Sequence, residues 1–205
     1  STPIKSSAAS DVYKRQICTI AGLRIRRQQA LSQQHIASQI IRLHVIANSD
    51  ETADQTLKKE VKDQVVTYLR SKMNQAASIQ AARQVICQEM DALKEIAEKK
   101  IRQEGYDYPV TVSLGTTYFP VKEYGDMAFP AGDYEALRVQ IGKSKGRNWW
   151  CVMYPSLCLV DGVYQTVPEN SKDKLKQVLS TSEYQSLVDG GEDVQFRLRF
   201  FDWLF

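Results

Sequence analysis

GDYEALRVQIGKSKGRNWWCVMYPSLC (Gly132–Cys158) holds two extended runs joined by a basic turn. Leu137, Val139 and Ile141 share one face and alternate with Arg138 and Gln140, the period-two pattern of a strand. Gly142 ends it. Trp149 to Tyr154 forms a second run, and Leu157 to Val160 a third across the Pro155-Ser156 turn signal. Trp149 and Trp150 are neighbours in sequence, so a strand points them to opposite faces. This stretch calls for a sheet, and the rest of the chain says what packs on it.

Upstream, Ile41, Leu43, Val45 and Ala47 alternate with Arg42, His44 and Ile46 until Asn48, Ser49 and Asp50 break the strand. Thr52 and Gln55 form a T-x-x-Q capping box ahead of a helix, along which Leu57, Val61, Val65 and Leu69 recur every fourth residue. A second helix starts at Ser78, carries one apolar stripe (Ile79, Ala82, Ile86, Met90, Leu93, Ala97, Ile101) and stops at Gly105. Cys87 neighbours that stripe and reads as a small packed residue. Pro109 to Thr117 alternates as a strand. Leu175, Val178, Leu179 and Leu187 suggest a helical segment after Asn170. Val194, Phe196, Leu198 and Phe200 alternate with Gln195, Arg197 and Arg199 as a half-buried terminal strand. Helices and strands are largely segregated along the chain. The expectation is therefore an α+β fold, a mostly antiparallel sheet packed against two or three helices in a single domain.

With 205 residues and 43% hydrophobic content the chain can bury a real core. Its 27 basic and 24 acidic residues are well mixed and sum to +3, unlike the basic excess of a nucleic-acid binder. No run of about 18 apolar residues offers a membrane helix. Two histidines, four scattered cysteines and no C-x-x-C pair argue against a structural zinc site, and no cofactor is expected. Residues 1–39 read as an N-terminal tail. Within it residues 1–16 look foreign to the gene. DVYKRQ (Asp11–Gln16) is what GAT GTG TAT AAG AGA CAG encodes, which resembles the end of a sequencing transposon adapter, and a native export signal could have been lost upstream. Residues 17–39, apolar and then basic and Gln-rich, read as a linker or loose helix, and residues 40–205 as the α+β domain.

Besides nucleic-acid stacking on Trp149 and Trp150, which the balanced surrounding charge argues against, the basic turn invites three chemical readings. Gly142-Lys143-Ser144 matches the end of a phosphate loop, but the pattern needs glycine at position 137, where Leu137 sits mid-strand. Gly142 to Asn148 reads instead as an exposed turn whose two glycines, Gly142 and Gly146, supply unusual backbone angles. A cysteine hydrolase would need Cys151 or Cys158, His44 and Asp161 to converge, with nothing local in support; a strand histidine beside Arg42 reads as structural or solvent-facing. A disulfide is the third reading. If Met153 to Ser156 is a four-residue loop, Val152 faces Leu157 and Cys151 faces Cys158, at a separation of about 4.5–5.5 Å that a disulfide bridges. A two-residue turn at Pro155-Ser156 would place Cys158 opposite Met153 instead. The bond would require an oxidising compartment.

IRLHVIANSDETADQTLKKEVKDQV (Ile41–Val65), the long run YPVTVSLGTTYFPVKEYGDMAFPAGDYEALRVQIGKSKGRNWWCVMYPSLCLVD (Tyr108–Asp161) and VQFRLRFFDW (Val194–Trp203) closely resemble the stage II sporulation protein R family of endospore-forming Bacillota. The resemblance covers most of residues 40–203. It implies a protein made in the forespore and exported into the space between the two membranes separating forespore and mother cell. There such proteins trigger the membrane-embedded aspartic protease that processes the precursor of sigma-E. The protein would be a signal and not an enzyme, and the resemblance supplies no catalytic residues. The alternatives are an extracytoplasmic cysteine-dependent hydrolase and an envelope ligand-binding module.

A signal must present groups to its partner, and binding energy concentrates in aromatic and arginine residues. The candidates are Trp149 or Trp150 beside Arg147 and the Lys143–Lys145 turn, which also offers its charge to an anionic membrane face. The polar corner Asn48-Ser49-Asp50 is the second choice.

Overall fold

The computed structural model describes residues 7–73, 76–155, 157, 167 and 169–190. Its element order is α1 (Ser7–Ser38), β1 (Ile41–Ile46), α2 (Thr52–Met73), α3 (Ile79–Gln88), α4 (Met90–Gln103), β2 (Val110–Phe119), β3 (Lys122–Tyr124), β4 (Met127–Phe129), β5 (Gly132–Ile141), β6 (Asn148–Tyr154), α5 (Glu169–Val178) and α6 (residues 181–190). Four strands form one sheet in the order β2-β5-β1-β6, and β3 and β4 form a separate hairpin. β2 runs antiparallel to β5 over ten residue pairs, and β6 runs antiparallel to β1. β1 and β5 are parallel, so the sheet is mixed. The fold is α+β in a single domain, as expected. The terminal strand read at Val194–Phe201 lies outside the described residues.

The alternation in β1, β5 and β6 sorts residues between two cores. Ile41, Leu43, Val45, Leu137, Val139, Ile141, Cys151 and Met153 face α2, α3 and α4, where Leu57, Val61, Val65, Leu69, Ile86, Leu93 and Ile101 complete the first core. The opposite face is covered too. Ile36 in the last turns of α1, Ile40 just after it, Met127 and Phe129 of β4, Leu175, Leu179 and Leu187 pack there with Phe119, Tyr134 and Val152. β1 is consequently buried at every position, including Arg42 and His44.

Several local readings shift. The long second helix is two, α3 and α4, with Glu89 at the junction in a non-helical conformation. The Glu89 carboxylate accepts a hydrogen bond from the Tyr68 hydroxyl and pairs with Lys72 at 3.4 Å, so the break is held from α2. Periodicity cannot see such a break, because the apolar stripe runs through it. Ser78 Oγ caps α3 by accepting from Ala81 N, and Gly105 ends α4 with φ +82°. Cys87 is exposed instead of packed. Residues 17–38 are helical within α1, which continues from Ser7; only its last turns bury apolar side chains, while Ile17, Ile20, Leu23, Ile25 and Leu31 are exposed.

Candidate functional site

The Asn48–Asp50 corner and the basic turn, separate candidates in the sequence, form one structure. Because β1 and β5 are parallel, with Ile46 beside Gln140, both strands finish at the same end of the sheet, where β6 also starts. The chain from Gly142 to Arg147 folds over the corner. Lys145 N donates to Asn48 O (3.1 Å) and Gly146 N to Ala47 O (3.0 Å). Lys143 N donates to Asn48 Oδ1 (2.9 Å) and Arg147 N to Asp50 Oδ1 (2.6 Å). Gly142 has φ +56°, and a Cβ there would lie 2.4 Å from Asn48 Oδ1. Gly146 is needed for a different reason from the unusual angle expected of it. A Cβ would lie 2.1 Å from the Ser49 carbonyl oxygen, a backbone atom that cannot swing away. The positive φ in this turn besides that of Gly142 belongs to Ser144.

The first turns of α2 support the corner from below. Asp54 accepts from Asn48 Nδ2 (2.8 Å) and Ser49 Oγ (2.6 Å). Burial opposes its ionisation, but the hydrogen bonds from Ser49, Asn48 and Tyr108 outweigh that and hold its carboxyl below the ordinary range. Lys58 is only 4% exposed and donates to Gln55 Oε1 (2.6 Å) and Arg147 O (2.9 Å). Burial, reinforced by the Arg147 and Lys59 charges against that of Asp50, pulls the Lys58 ammonium below its usual range. Gln55 Nε2 donates to Ser49 O (2.9 Å), and Ser49 Oγ accepts from Glu51 N. The capping-box reading thus had the right segment with the wrong pairing: Gln55 binds Ser49. On top, Lys143, Lys145, Arg147 and Asp50 are exposed on a backbone pinned from both sides. The Arg147 Nε to Asp50 Oδ1 contact of 3.6 Å joins two exposed side chains and contributes little.

Trp149 and Trp150 are both half-buried and point to opposite faces. Trp149 packs on the first core with the Lys62 ammonium 4.4 Å from its ring centroid. Trp150 stacks on His44 at 3.8 Å and meets Phe119 edge-on at 4.5 Å. Arg42, fully buried, lies 4.1 Å from the Phe119 centroid and 4.7 Å from that of Tyr134, and donates to Tyr124 Oη (2.7 Å). His44, read as structural or solvent-facing, is buried. Asp54, Lys58, Tyr108 and this aromatic nest were not singled out from the sequence. Lys58 reaches Arg147 and the nest joins several strands far apart in the chain, while Asp54 reaches back only to Asn48 and Ser49 through side-chain bonds that periodicity does not report.

Cys151 is buried on the first-core side, opposite Leu43, while Cys18 and Cys87 are free. Leu157 N donates to Val152 O (2.9 Å), the register of a four-residue loop over Met153–Ser156. Cys158 and Asp161 lie outside the described residues. His44 projects to the face opposite Cys151, so the structure does not bring these two members of the hydrolase alternative together. Among the described residues no group of His, Cys, Asp or Glu is arranged to hold a metal ion, and no helix is long and apolar enough to cross a membrane.

Fold and site together define an α+β protein with a mixed sheet, two cores and a braced polar corner at one end. Residues 37–164 match the family model described as stage II sporulation protein R, and the chain belongs to that family. The stage II sporulation protein R of Bacillus subtilis (strain 168) is 37% identical over 139 residues, which cover 68% of this chain and 62% of that relative. No solved structure matches the chain. The corner, the basic turn and both tryptophans all fall inside the family match.

Proposed function

We propose that this chain is the exported signal by which the forespore instructs the mother cell: it engages the membrane-embedded aspartic protease that processes the precursor of sigma-E and switches it on. The carrying observation is that a hydrogen-bonded basic turn and polar corner lie inside the family match. The corner and turn lie within the matched region, and their backbone is held by four hydrogen bonds between them. A preorganised loop presenting cations loses little entropy when it docks. The protein itself performs no chemistry in this reading. It works outside the cytoplasm, between the two membranes, and Cys151 pairs with Cys158 there. The Lys143–Arg147 turn meets either the protease or the anionic membrane face beside it.

Complementation tests the reading. In a sporulating host lacking its own copy, this chain with an export signal restored should re-establish sigma-E processing; failure of a stably secreted chain to do so overturns it. The surface is tested separately by combining Lys143→Glu, Lys145→Glu and Arg147→Glu. The corner is tied through the backbone of these residues, so the fold should survive while processing falls at normal secreted levels. Full processing by this variant would remove the turn from the signalling surface and leave Asn48, Ser49 and Asp50 to be tested.

A further inference from the structure

One face of the sheet holds basic side chains some of whose donors have no acceptor among the described residues. His44 stands in register with Arg138 of β5 on one side and Trp150 of β6 on the other, and Arg138 is in register with Ser113 of β2. Residues paired this way present their side chains to the same face. The His44 ring is only 5% exposed, and apart from the Asn148 side chain no group among the described residues hydrogen-bonds its nitrogens. Among the described residues Arg138 Nε is buried and unpartnered, and so are Arg42 Nε and Nη1, although Arg42 Nη2 donates to Tyr124 and its charge lies over the Phe119 and Tyr134 rings. No ion pair compensates either arginine among the described residues: Glu135, also on β5, pairs with Arg83; Asp126 pairs with Lys172; Glu183 pairs with His35. Buried donors without acceptors are costly, and a buried cation without a counter-charge more so. Such groups persist where something else satisfies them.

We infer that the His44–Arg138–Trp150 row is a binding site for a carboxylate, with Arg42 as the deeper positive charge. Arg138, Trp150 and Ser113 are half-buried, and Thr111 and Gly115 on the β2 edge are exposed. A carboxylate suits the site better than phosphate. It is planar and singly charged and accepts from a guanidinium edge, whereas a phosphate needs donors on all its sides. Burial now holds the His44 ring below the ordinary imidazole range, with Asn148 opposing and the Arg138 charge adding to the effect. An anion bound between them would reverse that balance and favour the protonated ring.

Sodium acetate is the first probe, titrated into the intact chain against sodium chloride at matched ionic strength, with the Arg Nε–Hε and His ring resonances followed by NMR. The expected result is a saturable shift at Arg138 and an upward move of the His44 titration. Arg138→Gln should weaken acetate about tenfold by removing a charge-assisted hydrogen bond. Should that variant not fold, Arg138→Lys, which keeps the charge and loses the planar edge, should weaken it as well. A capped glutamate peptide binding tighter than acetate would identify an acidic side chain of a protein as the ligand's source, and equal binding a free acid; either outcome supports the site. Shifts linear in acetate, equal shifts with chloride, undiminished binding in the folded Arg138 variant, or saturation by phosphate alone would overturn the assignment.

Discussion

His44 shows how one residue's environment converts into a solution property. In the folded chain its ring is held below the ordinary imidazole range by burial, reinforced by Arg138 and opposed by Asn148. The unfolded chain therefore takes up a proton first as pH falls. The neutral ring's contribution is fully present above the unfolded value and is lost as pH drops through the folded one. Urea unfolding should show stability decreasing from about pH 7 to about pH 5, and His44→Phe, which keeps a ring against Trp150, should flatten that slope. Gly142 makes a second claim at this scale. Its φ of +56° and the 2.4 Å approach of Asn48 Oδ1 leave no room for a Cβ. Gly142→Ala should cost about 1–3 kcal/mol and release the corner, seen as faster amide exchange at Lys143 and Lys145.

Between elements, the informative contact is the loop leaving β6. The Leu157 N to Val152 O bond is the contact expected of a four-residue loop, the register on which the Cys151–Cys158 bridge is proposed. Non-reducing peptide mapping of the exported protein should recover the linked pair with Cys87 as a free thiol. Its reduction should lower stability by about 2–3 kcal/mol, the closure entropy of so short a loop. Recovery of Cys158 as a free thiol would refute the pairing. The basic turn and the corner are likewise a relation between elements. β5, β1 and β6 bring them together, and neither is complete without the other.

For the whole molecule, the two cores differ in how they depend on α1. Exposed Ile17, Ile20, Leu23, Ile25 and Leu31 leave the first part of that helix without a packing role, whereas Ile36 and Ile40 are buried in the second core. Deleting residues 1–30 should leave the thermal midpoint nearly unchanged. Ile36→Ala should cost about 2–5 kcal/mol, as a large-to-small change in a packed site does. A large loss on deleting residues 1–30, measured by calorimetry, would mean that the helix stabilises the domain beyond its last turns.

What the sequence determined by itself was whatever depends on short-range periodicity. The β1, β2, β5 and β6 segments, the α2 helix and the stop at Gly105 were legible because alternation and four-residue spacing report which side faces a core. The Lys143–Arg147 and Asn48–Asp50 residues were legible as polar, turn-forming stretches. Tertiary structure alone decided the rest. The parallel pairing of β1 with β5 joins residues far apart in sequence, and no local pattern encodes it. The break at Glu89 is held by Tyr68 and Lys72 across an interhelical contact. The second core buries Arg42 and His44, whose strand pattern alone made them look like an outer face. The same long-range packing turned two alternative surfaces into one, because backbone hydrogen bonds between loops are set by where the strands end, which is a property of the assembled sheet.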